Sequence, residues 1–198
     1  MIYLNVYKKY NISHVVHLAA ESHVDNSILD PGAFVQSNIV GTFNLLKVSK
    51  QLGVERIHHV STDEVYGELG DAGKFTELSS YDPRNPYSAS KAASDFLMRS
   101  YFYTYDMPIT ISNCSNNYSP NQHKEKFIPT IINCILNKKK IPLYGSGTNI
   151  RDWIHVTDHC EGLWEILLRG DLGETYCIGS NCEKKNLDVI EMICNIMG

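Results

Sequence analysis

The sequence lacks a long apolar run. None of its 198 residues lies in a stretch of about 18 consecutive apolar side chains, the length that a membrane-spanning helix needs. The first ten residues also lack the order of charged, apolar and small side chains that marks a signal peptide. We therefore expect a cytoplasmic protein that does not span a membrane.

An excess of basic charge is also missing. The chain has 18 basic and 22 acidic residues and a formal net charge of -4. This balance excludes the basic surface that attracts nucleic acid or acidic lipid, so neither is an expected partner. Apolar residues make up 43% and charged residues 20%, which is typical of a globular chain and excludes a disordered or collagen-like one.

The cysteines form no C-x-x-C pair, the spacing of many zinc and redox sites. Most of them lie in apolar surroundings, which indicates small core residues in a reducing compartment rather than disulfides or metal ligands. They are Cys114, Cys134, Cys160, Cys177, Cys182 and Cys194. We expect no metal site in this chain.

Short apolar runs alternate with helical patterns over the first part of the chain, and this alternation predicts an α/β fold with a parallel sheet. The predicted strands are His14–Leu18, Arg56–Val60, Ile109–Ser112 and Glu174–Ile178. Helices are predicted from Pro31 to Gly53 and from Pro86 to Tyr105, because proline favours a helix start and glycine a helix end.

The alternation breaks after Ser115. A polar loop is followed by a predicted helix over 127–136, and the later predicted elements are extended pieces over 141–144 and 150–156 and a helix over 158–168. The sequence therefore predicts a sheet domain over 1–115 and a smaller lobe over 116–198. Residues 157–180 are expected to return to the sheet.

A Tyr-x-x-x-Lys pattern, Tyr87 and Lys91, lies near the start of the second predicted helix. Spacing of four residues puts both side chains on one helix face, where an ammonium can favour the ionised phenol and lower its pKa. Tyr87 would then be a base near neutral pH. The pattern is common by chance, so an ordinary surface pair is the alternative.

Polar and small side chains follow two of the predicted strands. Ser61, Thr62, Asp63 and Glu64 come directly after one strand, and the segment 17–24 closes another with two alanines. Ligands bind at the carboxyl ends of strands in open α/β sheets. The sequence therefore predicts a site where these strand ends and the start of the Tyr87 helix meet.

These motifs resemble one family: the extended short-chain dehydrogenases/reductases, and within them the nucleotide-sugar 4,6-dehydratases, above all those acting on dTDP-glucose. The matching segments are HLAAESHVDNS (17–27), STDEVYG (61–67), YSASK (87–91), SNNYSPNQ (115–122), EKFIP (125–129) and NIRDW (149–153). The resemblance implies a Rossmann-like, doubly wound parallel sheet that binds NAD, and a substrate-binding C-terminal lobe. The adjacent carboxyls of Asp63 and Glu64 separate this subgroup from the related epimerases and decarboxylases.

The resemblance also implies a reaction. Tyr87 would take the proton of the sugar 4-hydroxyl, Lys91 would hold the phenolate, and Thr62 would bond the 4-oxygen. Glu64 would then remove the C5 proton and Asp63 would protonate the departing 6-hydroxyl, leaving a 4-keto-6-deoxy sugar. Adjacent carboxyls can play opposite roles only if their surroundings separate their pKa values.

Further residues are implied to bind the two ligands. Those expected to line NAD are Leu18, Ala19, Ala20, Glu21, Ser22, Ser37, Asn38, Ser61, Tyr87, Lys91 and Asn117. Those expected to contact the sugar nucleotide are Ser22, Thr62, Asn116, Lys126, Phe127, Pro142, Leu143, Tyr144, Arg151 and Asn186. A homodimer through the helices near 31–52 and 86–105 is implied as well. Arg151 suits a diphosphate, or else it pairs with Asp152 beside it.

The chain departs from the family pattern at Asn113, where arginine is usual, and at Ser119, where glycine is usual. No glycine-rich phosphate turn precedes His14, so we expect a sheet that lacks its first strands and a chain incomplete at both ends. Two alternatives stay open: a UDP-sugar 4-epimerase or decarboxylase, and a truncated chain without catalysis. The nucleotide of the sugar is also open.

Overall fold

The computed structural model describes residues 2–69, 73–143 and 145–198. They form two compact units. The first unit comprises Met1–Cys114 and Glu161–Ile178, and the second comprises Ser115–Cys160 and Gly179–Gly198.

The regular elements of the described chain are as follows. The α-helices are α1 (Ile2–Tyr10), α2 (Val24–Leu29), α3 (Pro31–Phe34), α4 (Gly41–Leu52), α5 (Pro86–Tyr105), α6 (Phe127–Leu136), α7 (Val156–Arg169) and α8 (Asn186–Met197). The strands are β1 (His14–His17), β2 (Arg56–Thr62), β3 (Ile109–Cys114), β4 (Asn116–Tyr118), β5 (Ile150–His155), β6 (Thr175–Ile178) and β7 (Glu183–Lys185). No helix in these described ranges has the length and apolar character to cross a bilayer.

The first unit contains a four-stranded sheet in the order β1-β2-β3-β6, and every neighbouring pair is parallel. The predicted parallel α/β sheet is therefore confirmed, with strand bounds within two residues of those expected. Because all four strands run the same way, their carboxyl ends lie along one edge of the sheet. Thr62 at the end of β2 pairs with Cys114 at the end of β3.

Strands β2 and β3 are buried on both faces, as central strands of parallel sheets are. On one face Ile57, Ile109 and Ile111 pack with Leu46 of α4 and Met98 of α5. On the opposite face the imidazole of His58, which lies on β2, bonds the hydroxyls of two β3 residues, each at 2.9 Å. Each fully buried apolar side chain contributes about 1.5–3 kcal/mol relative to exposure.

The helical segment predicted from Pro31 to Gly53 is confirmed, but it is not uniform. Asp30 caps its start and Pro31 occupies the first position. Gly53 ends it in the left-handed conformation, with φ 63°. Between α3 and α4, residues Val35–Val40 form a π-helical segment, which the periodicity of the sequence did not predict. Such insertions often occur near functional sites.

Helix α5 has the predicted bounds, from Pro86 to Tyr105. Its start is fixed by the side chain of Asn85, which accepts a hydrogen bond from the backbone of Ser88, while the hydroxyl of Ser88 accepts from the Asn85 backbone. The small side chains of its first half are buried, which allows close packing. Tyr87, Lys91 and Asp95 follow at intervals of four residues and share one face.

The second unit contains the three-stranded sheet β4-β5-β7, in which β4 and β5 are parallel and β7 is antiparallel to β5. The polar loop expected at 116–118 is instead strand β4, because its backbone pairs with β5 although its side chains are polar. The extended piece expected over 141–144 is not a strand in its described residues, 141–143. Helix α8 has no counterpart among the sequence-based expectations.

The cysteines are all free. The expectation that they are small core residues is wrong for Cys160 and Cys182, which are exposed; Cys134 is buried and the other three are half-buried. Cys160 follows the buried His159 on α7, and a helix turns neighbouring side chains about 100° apart, so apolar surroundings in the sequence did not indicate burial.

Gly67 is conformationally required. Its φ is 86°, and a Cβ there would lie 2.5 Å from the backbone oxygen of Asp82. We expect Gly67→Ala to lower the free energy of unfolding by about 2–3 kcal/mol, measured by urea denaturation. Gly53→Ala is the matched control, because its φ is also positive but open space surrounds it; its expected cost is about 1 kcal/mol. Equal costs for the two variants would contradict this assignment.

Candidate active site

The predicted catalytic residues of the first unit lie together at the carboxyl end of β2 and the start of α5. Thr62 is the last residue of β2, and Asp63–Tyr66 form a short 3-10 helix directly after it. The hydroxyl oxygen of Thr62 accepts a hydrogen bond from the backbone N–H of Glu64 at 3.3 Å. It also lies 3.4 Å from a carboxylate oxygen of Asp63. One side chain therefore ends the strand, caps the short helix and contacts the Asp63 carboxyl.

Glu64 is held from the other side by α5. The side-chain amide of Asn85 donates to a carboxylate oxygen of Glu64 at 3.2 Å. Asn85 is the N-cap of α5, so the same residue that starts the helix also positions this carboxylate. The partial positive charge of a helix N-terminus favours a carboxylate at this position.

Tyr87 is buried beside these carboxyls, with its ring edge against Phe34 at 6.3 Å between centroids. Burial, reinforced by the negative charge of Glu64, raises the pKa of the Tyr87 phenol, and a hydrogen bond with the Thr62 hydroxyl partly opposes this. The net effect on this pKa is thus opposite to the lowering that the Tyr87–Lys91 spacing predicts, because burial dominates and the Lys91 ammonium donates to the backbone oxygen of Val60 at 2.8 Å.

The segment after β1 borders the same strand ends. Leu18, Ala19, Glu21 and Ser22 are exposed, and Ala20 is half-buried. Asn38 holds this segment: its side-chain oxygen accepts from the Glu21 N–H at 2.8 Å and its amide donates to the Glu21 oxygen at 3.0 Å.

Two of the residues expected to line the cofactor make their hydrogen bonds within the protein. Asn38 is 2% exposed, and besides Glu21 it donates to the hydroxyl of Ser90 on α5 at 2.8 Å. The buried Ser61 donates to Asp95 at 2.8 Å. Their polar groups therefore fix the backbone around the strand ends. Ser37, on the π-helical segment, is half-buried.

The residues expected to contact a sugar nucleotide lie in the second unit, apart from Ser22 and Thr62. Asn116 is on β4, Lys126 and Phe127 start α6, Arg151 is on β5, and Asn186 starts α8. Asn117, which is expected to line the cofactor, is also on β4. Pro142 and Leu143 lie outside the helices and strands, and Tyr144 lies outside the described residues.

Several contacts order the second unit around these residues. Phe127 stacks on Trp153 at 6.0 Å between centroids. The imidazole of His159 donates to the side-chain oxygen of Asn117 at 2.8 Å. Asp152 accepts hydrogen bonds from the backbone N–H groups of Ser180 and Cys182, at 2.8 and 2.6 Å.

The partners of Asp152 bear on its neighbour Arg151. Burial alone would raise the pKa of Asp152, but the two backbone hydrogen bonds lower it below its usual value. The Arg151–Asp152 ion pair that the sequence left open is not formed among the described residues. The guanidinium of Arg151 donates instead to the backbone oxygen of Ile150 at 2.9 Å.

The two departures from the family pattern are accommodated. Asn113 is buried and donates to the backbone oxygen of Thr62 at 3.1 Å. Ser119 is not among the described residues with positive φ, whereas Asn121 in the same loop has φ 63°. A side chain at position 119 therefore causes no backbone strain.

Sequence reasoning missed a group of polar residues behind the site, of which His17, His59 and Asp95 are buried and Tyr81 and Asn85 are half-buried. For two of these residues the sequence contained a signal that could have identified them. Asn85 precedes a proline at a helix start, the usual place of an N-cap, and Asp95 follows Lys91 by one helical turn. The histidines had none, because strand residues bond according to neighbours that the sequence does not reveal.

Comparison with known proteins assigns the chain to a family. The family model described as GDP-mannose 4,6 dehydratase matches residues 3–197. The chain belongs to this family. The dTDP-glucose 4,6-dehydratase of Mycolicibacterium smegmatis is 52% identical over 186 residues, which are 93% of this chain and 56% of that protein. The resemblance to nucleotide-sugar 4,6-dehydratases is therefore confirmed.

Solved structures agree with this assignment. The dTDP-glucose 4,6-dehydratase DesIV of Streptomyces venezuelae, solved with NAD bound, is 42% identical with a TM-score of 0.95, over 98% of this chain and 61% of that one. The UDP-glucuronic acid 4-epimerase of Bacillus cereus is 29% identical with a TM-score of 0.92, over 98% of this chain and 62% of that one. The chain thus spans about three fifths of the length of these relatives, and the fold alone does not separate dehydratase from epimerase.

His17 provides a pH test of the buried surroundings of the site. Burial, reinforced by the repulsion that a protonated His59 and the Lys91 ammonium would exert, lowers the pKa of His17 from 6.5 to about 3. A lowered pKa in the folded state stabilises the protein above the unfolded value, and this contribution is lost as the pH falls toward 3. We expect His17→Gln to reduce the acid-induced loss of unfolding free energy between about pH 6.5 and 4 by about 3 kcal/mol.

Urea denaturation across this pH range measures the effect. Glutamine can keep the hydrogen bond from His17 to the Thr42 hydroxyl, at 3.0 Å in the native chain. His123→Gln is the matched control, because His123 is exposed. If both variants lose stability on acidification as the native chain does, His17 does not have this role.

Proposed function

We propose that this chain carries the catalytic residues of a NAD-dependent dTDP-glucose 4,6-dehydratase, a lyase of deoxysugar metabolism that converts dTDP-glucose to dTDP-4-keto-6-deoxyglucose. The observation that carries the proposal is the Thr62-Asp63-Glu64 run held against Tyr87 and Asn85 at the start of α5. Two carboxyls beside a buried phenol suit oxidation at C4 followed by loss of water. The names of the relatives support dTDP-glucose as the substrate.

The strand ends of the first unit fit NAD. Ala19 and Ala20 leave the backbone after β1 accessible, since neither carries more than a methyl group, and Asn38 fixes this segment beside α5. Lys91, buried one helical turn after Tyr87, would supply a cation for a ribose hydroxyl and the Tyr87 oxygen. Bound there, the dinucleotide would accept hydride from C4 of the sugar and return it at C6. The relatives solved with NAD support this cofactor.

Tyr87 would act as the base toward the sugar 4-hydroxyl, with the Thr62 hydroxyl bonded to the 4-oxygen. The raised pKa of the buried phenol means that this step depends on a nearby positive charge, which Lys91 carries. Once C4 is a ketone, the proton on C5 becomes acidic.

Glu64 and Asp63 would divide the elimination between them. Glu64 would take the C5 proton, and Asp63 in its acid form would protonate the 6-hydroxyl, so that water leaves and a C5–C6 double bond forms. Hydride addition at C6 and proton return at C5 complete the 4-keto-6-deoxy product. The different partners of the two carboxyls support different roles: the Asn85 amide donates to Glu64, and the Thr62 hydroxyl faces Asp63.

We propose that the second unit binds the sugar nucleotide, as the division into domains over 1–115 and 116–198 implies. The fit of Arg151 to a diphosphate supports this, because Asp152 beside it is bonded to the Ser180 and Cys182 backbone instead. The cysteines, all free, support a reducing, cytoplasmic setting.

A UDP-sugar 4-epimerase is the second candidate, supported by the structural likeness to an enzyme of that kind. It would use Tyr87 and Lys91 but would not need two carboxyls after Thr62. Removing those carboxyls therefore separates the two candidates, because dehydration needs them and epimerisation does not. A native protein that forms neither product is a chain without catalysis.

We expect Asp63→Asn combined with Glu64→Gln to lower the rate of 4-keto-6-deoxy sugar formation by at least about 100-fold, because general acid and general base are both lost. The measurement is product formation from dTDP-glucose by the intact protein with NAD. Asp158→Asn combined with Glu161→Gln is the control, since it makes the same charge change at exposed positions of α7. Full activity of the Asp63/Glu64 variant would exclude the dehydratase mechanism.

We also propose a homodimer through the helices near 31–52 and 86–105. The exposed apolar side chains of Val35, Phe43, Phe96 and Tyr103 support it. We expect sedimentation to give the mass of two chains, and Phe43→Glu with Phe96→Glu to give that of one, because buried unpaired charge opposes association. Leu78→Glu is the control at an exposed residue outside these helices. A native protein that sediments as a monomer would refute the interface.

A further inference from the structure

Asp95 is a fully buried carboxyl that the proposed reaction does not use. It lies on α5, one helical turn after Lys91, with 0% exposure. A buried carboxyl is costly unless hydrogen bonds and an opposite charge compensate it. The hydrogen-bond donors and charges that surround Asp95 therefore indicate its role.

The hydrogen-bond donors around Asp95 are uncharged. His59 lies 3.1 Å away, Ser61 donates at 2.8 Å and the Tyr81 hydroxyl donates at 3.0 Å. Burial, reinforced by the charge of Lys91, lowers the pKa of His59 and outweighs the opposing effect of Asp95, so its imidazole is neutral. Burial raises the pKa of Tyr81, so its phenol keeps its proton. These groups hold the carboxylate in place but bring no positive charge.

The opposite charge comes from Lys91, whose side chain is 4% exposed. Burial lowers the pKa of the Lys91 ammonium, and the charges of Asp95 and Cys114 oppose this. The other titratable groups facing it are His17 on β1 and His59 on β2, which are neutral. Among these neighbours, Asp95 is the carboxylate that can compensate the buried cation.

We infer that Asp95 is a positioning residue whose negative charge keeps the buried Lys91 protonated, and that it thereby sustains the positive charge on which Tyr87 depends. This inference rests on the proposed function for its catalytic consequence but not for the charge pairing. A merely structural Asp95 would accept the same hydrogen bonds from Ser61 and Tyr81 and would have no particular relation to Lys91.

The charge pairing is tested by stability, without catalysis. In Asp95→Asn of the intact protein, Lys91 should lose its proton in the folded state while the unfolded chain still binds it. The loss in urea midpoint relative to the native protein should therefore grow as the pH falls from 9 to 6, and adding Lys91→Met should abolish that growth. A loss that is the same at every pH, with or without Lys91, would overturn the inference.

Tyr81→Phe is the matched control. It removes one hydrogen bond to Asp95 and leaves the charge, so its midpoint loss should be the same at every pH. If instead it reproduces the pH dependence of Asp95→Asn, the hydrogen bonds and not the charge are responsible.

A second measurement remains decisive if Asp95→Asn does not fold. Lys91→Met leaves Asp95 as the uncompensated charge, so its midpoint loss should grow as the pH rises from 4 to 7, the opposite direction. The double variant should then fold, because neither charge is left alone. A double variant that stays unfolded, or a Lys91→Met loss independent of pH, would contradict the pairing.

The catalytic consequence is read from the pH profile of kcat/KM in Asp95→Asn. If Lys91 becomes neutral, the phenol of Tyr87 is harder to ionise and the acidic limb moves up by about one pH unit or more. If Lys91 stays charged, removing a negative charge moves the limb down, and this result would refute the inference. An intact protein without dehydratase activity would refute the proposed function and leave the stability measurements to decide the pairing.

Discussion

The site depends on one constraint: α5 must bury ionisable side chains against the carboxyl end of β2. Lys91 can be buried there because its ammonium meets the Val60 carbonyl and because Asp95 carries the opposite charge one turn away. This fixes the rotation of the helix about its axis, and with it the position of Tyr87 one turn before. The small residues of the first half of α5 let the helix approach closely enough for these contacts.

The loops around the site are held by side chains that each interact with two structural elements. Thr62 ends a strand and caps the short helix that carries the two carboxyls. Asn85 starts α5 and holds Glu64. Because each side chain serves both elements, the carboxyls stay fixed relative to Tyr87, which is the preorganisation that general acid and base catalysis requires.

The sequence predicted the periodic part of this structure well. Strands buried on both faces and helices with a proline start give local signals, so the sheet and the long α5 were found. The polar strand β4 was not predicted, because it is defined by pairing with β5, whose residues are far from it in the sequence. The site residues were found through motifs, but the raised pKa of Tyr87 was not predicted, since burial is a property of the whole fold. For the same reason the bonds of Asn38 with Glu21 and Ser90 were not predicted.

The π-helical segment at Val35–Val40 changes the angle about the helix axis between side chains that precede it and side chains that follow it. Phe34 and Leu46 are twelve residues apart, and in a regular α-helix their side chains would point about 120° apart at about 100° per residue. The π-helical segment accommodates one extra residue, so Phe34 and Leu46 are separated by the rotation of about eleven residues instead of twelve. Their side chains then point within about 20° of each other. One continuous helical segment can thus pack Phe34 against Tyr87 and Leu46 in the core. Deleting one residue from the π-helical segment would rotate one of these two side chains away from its partner.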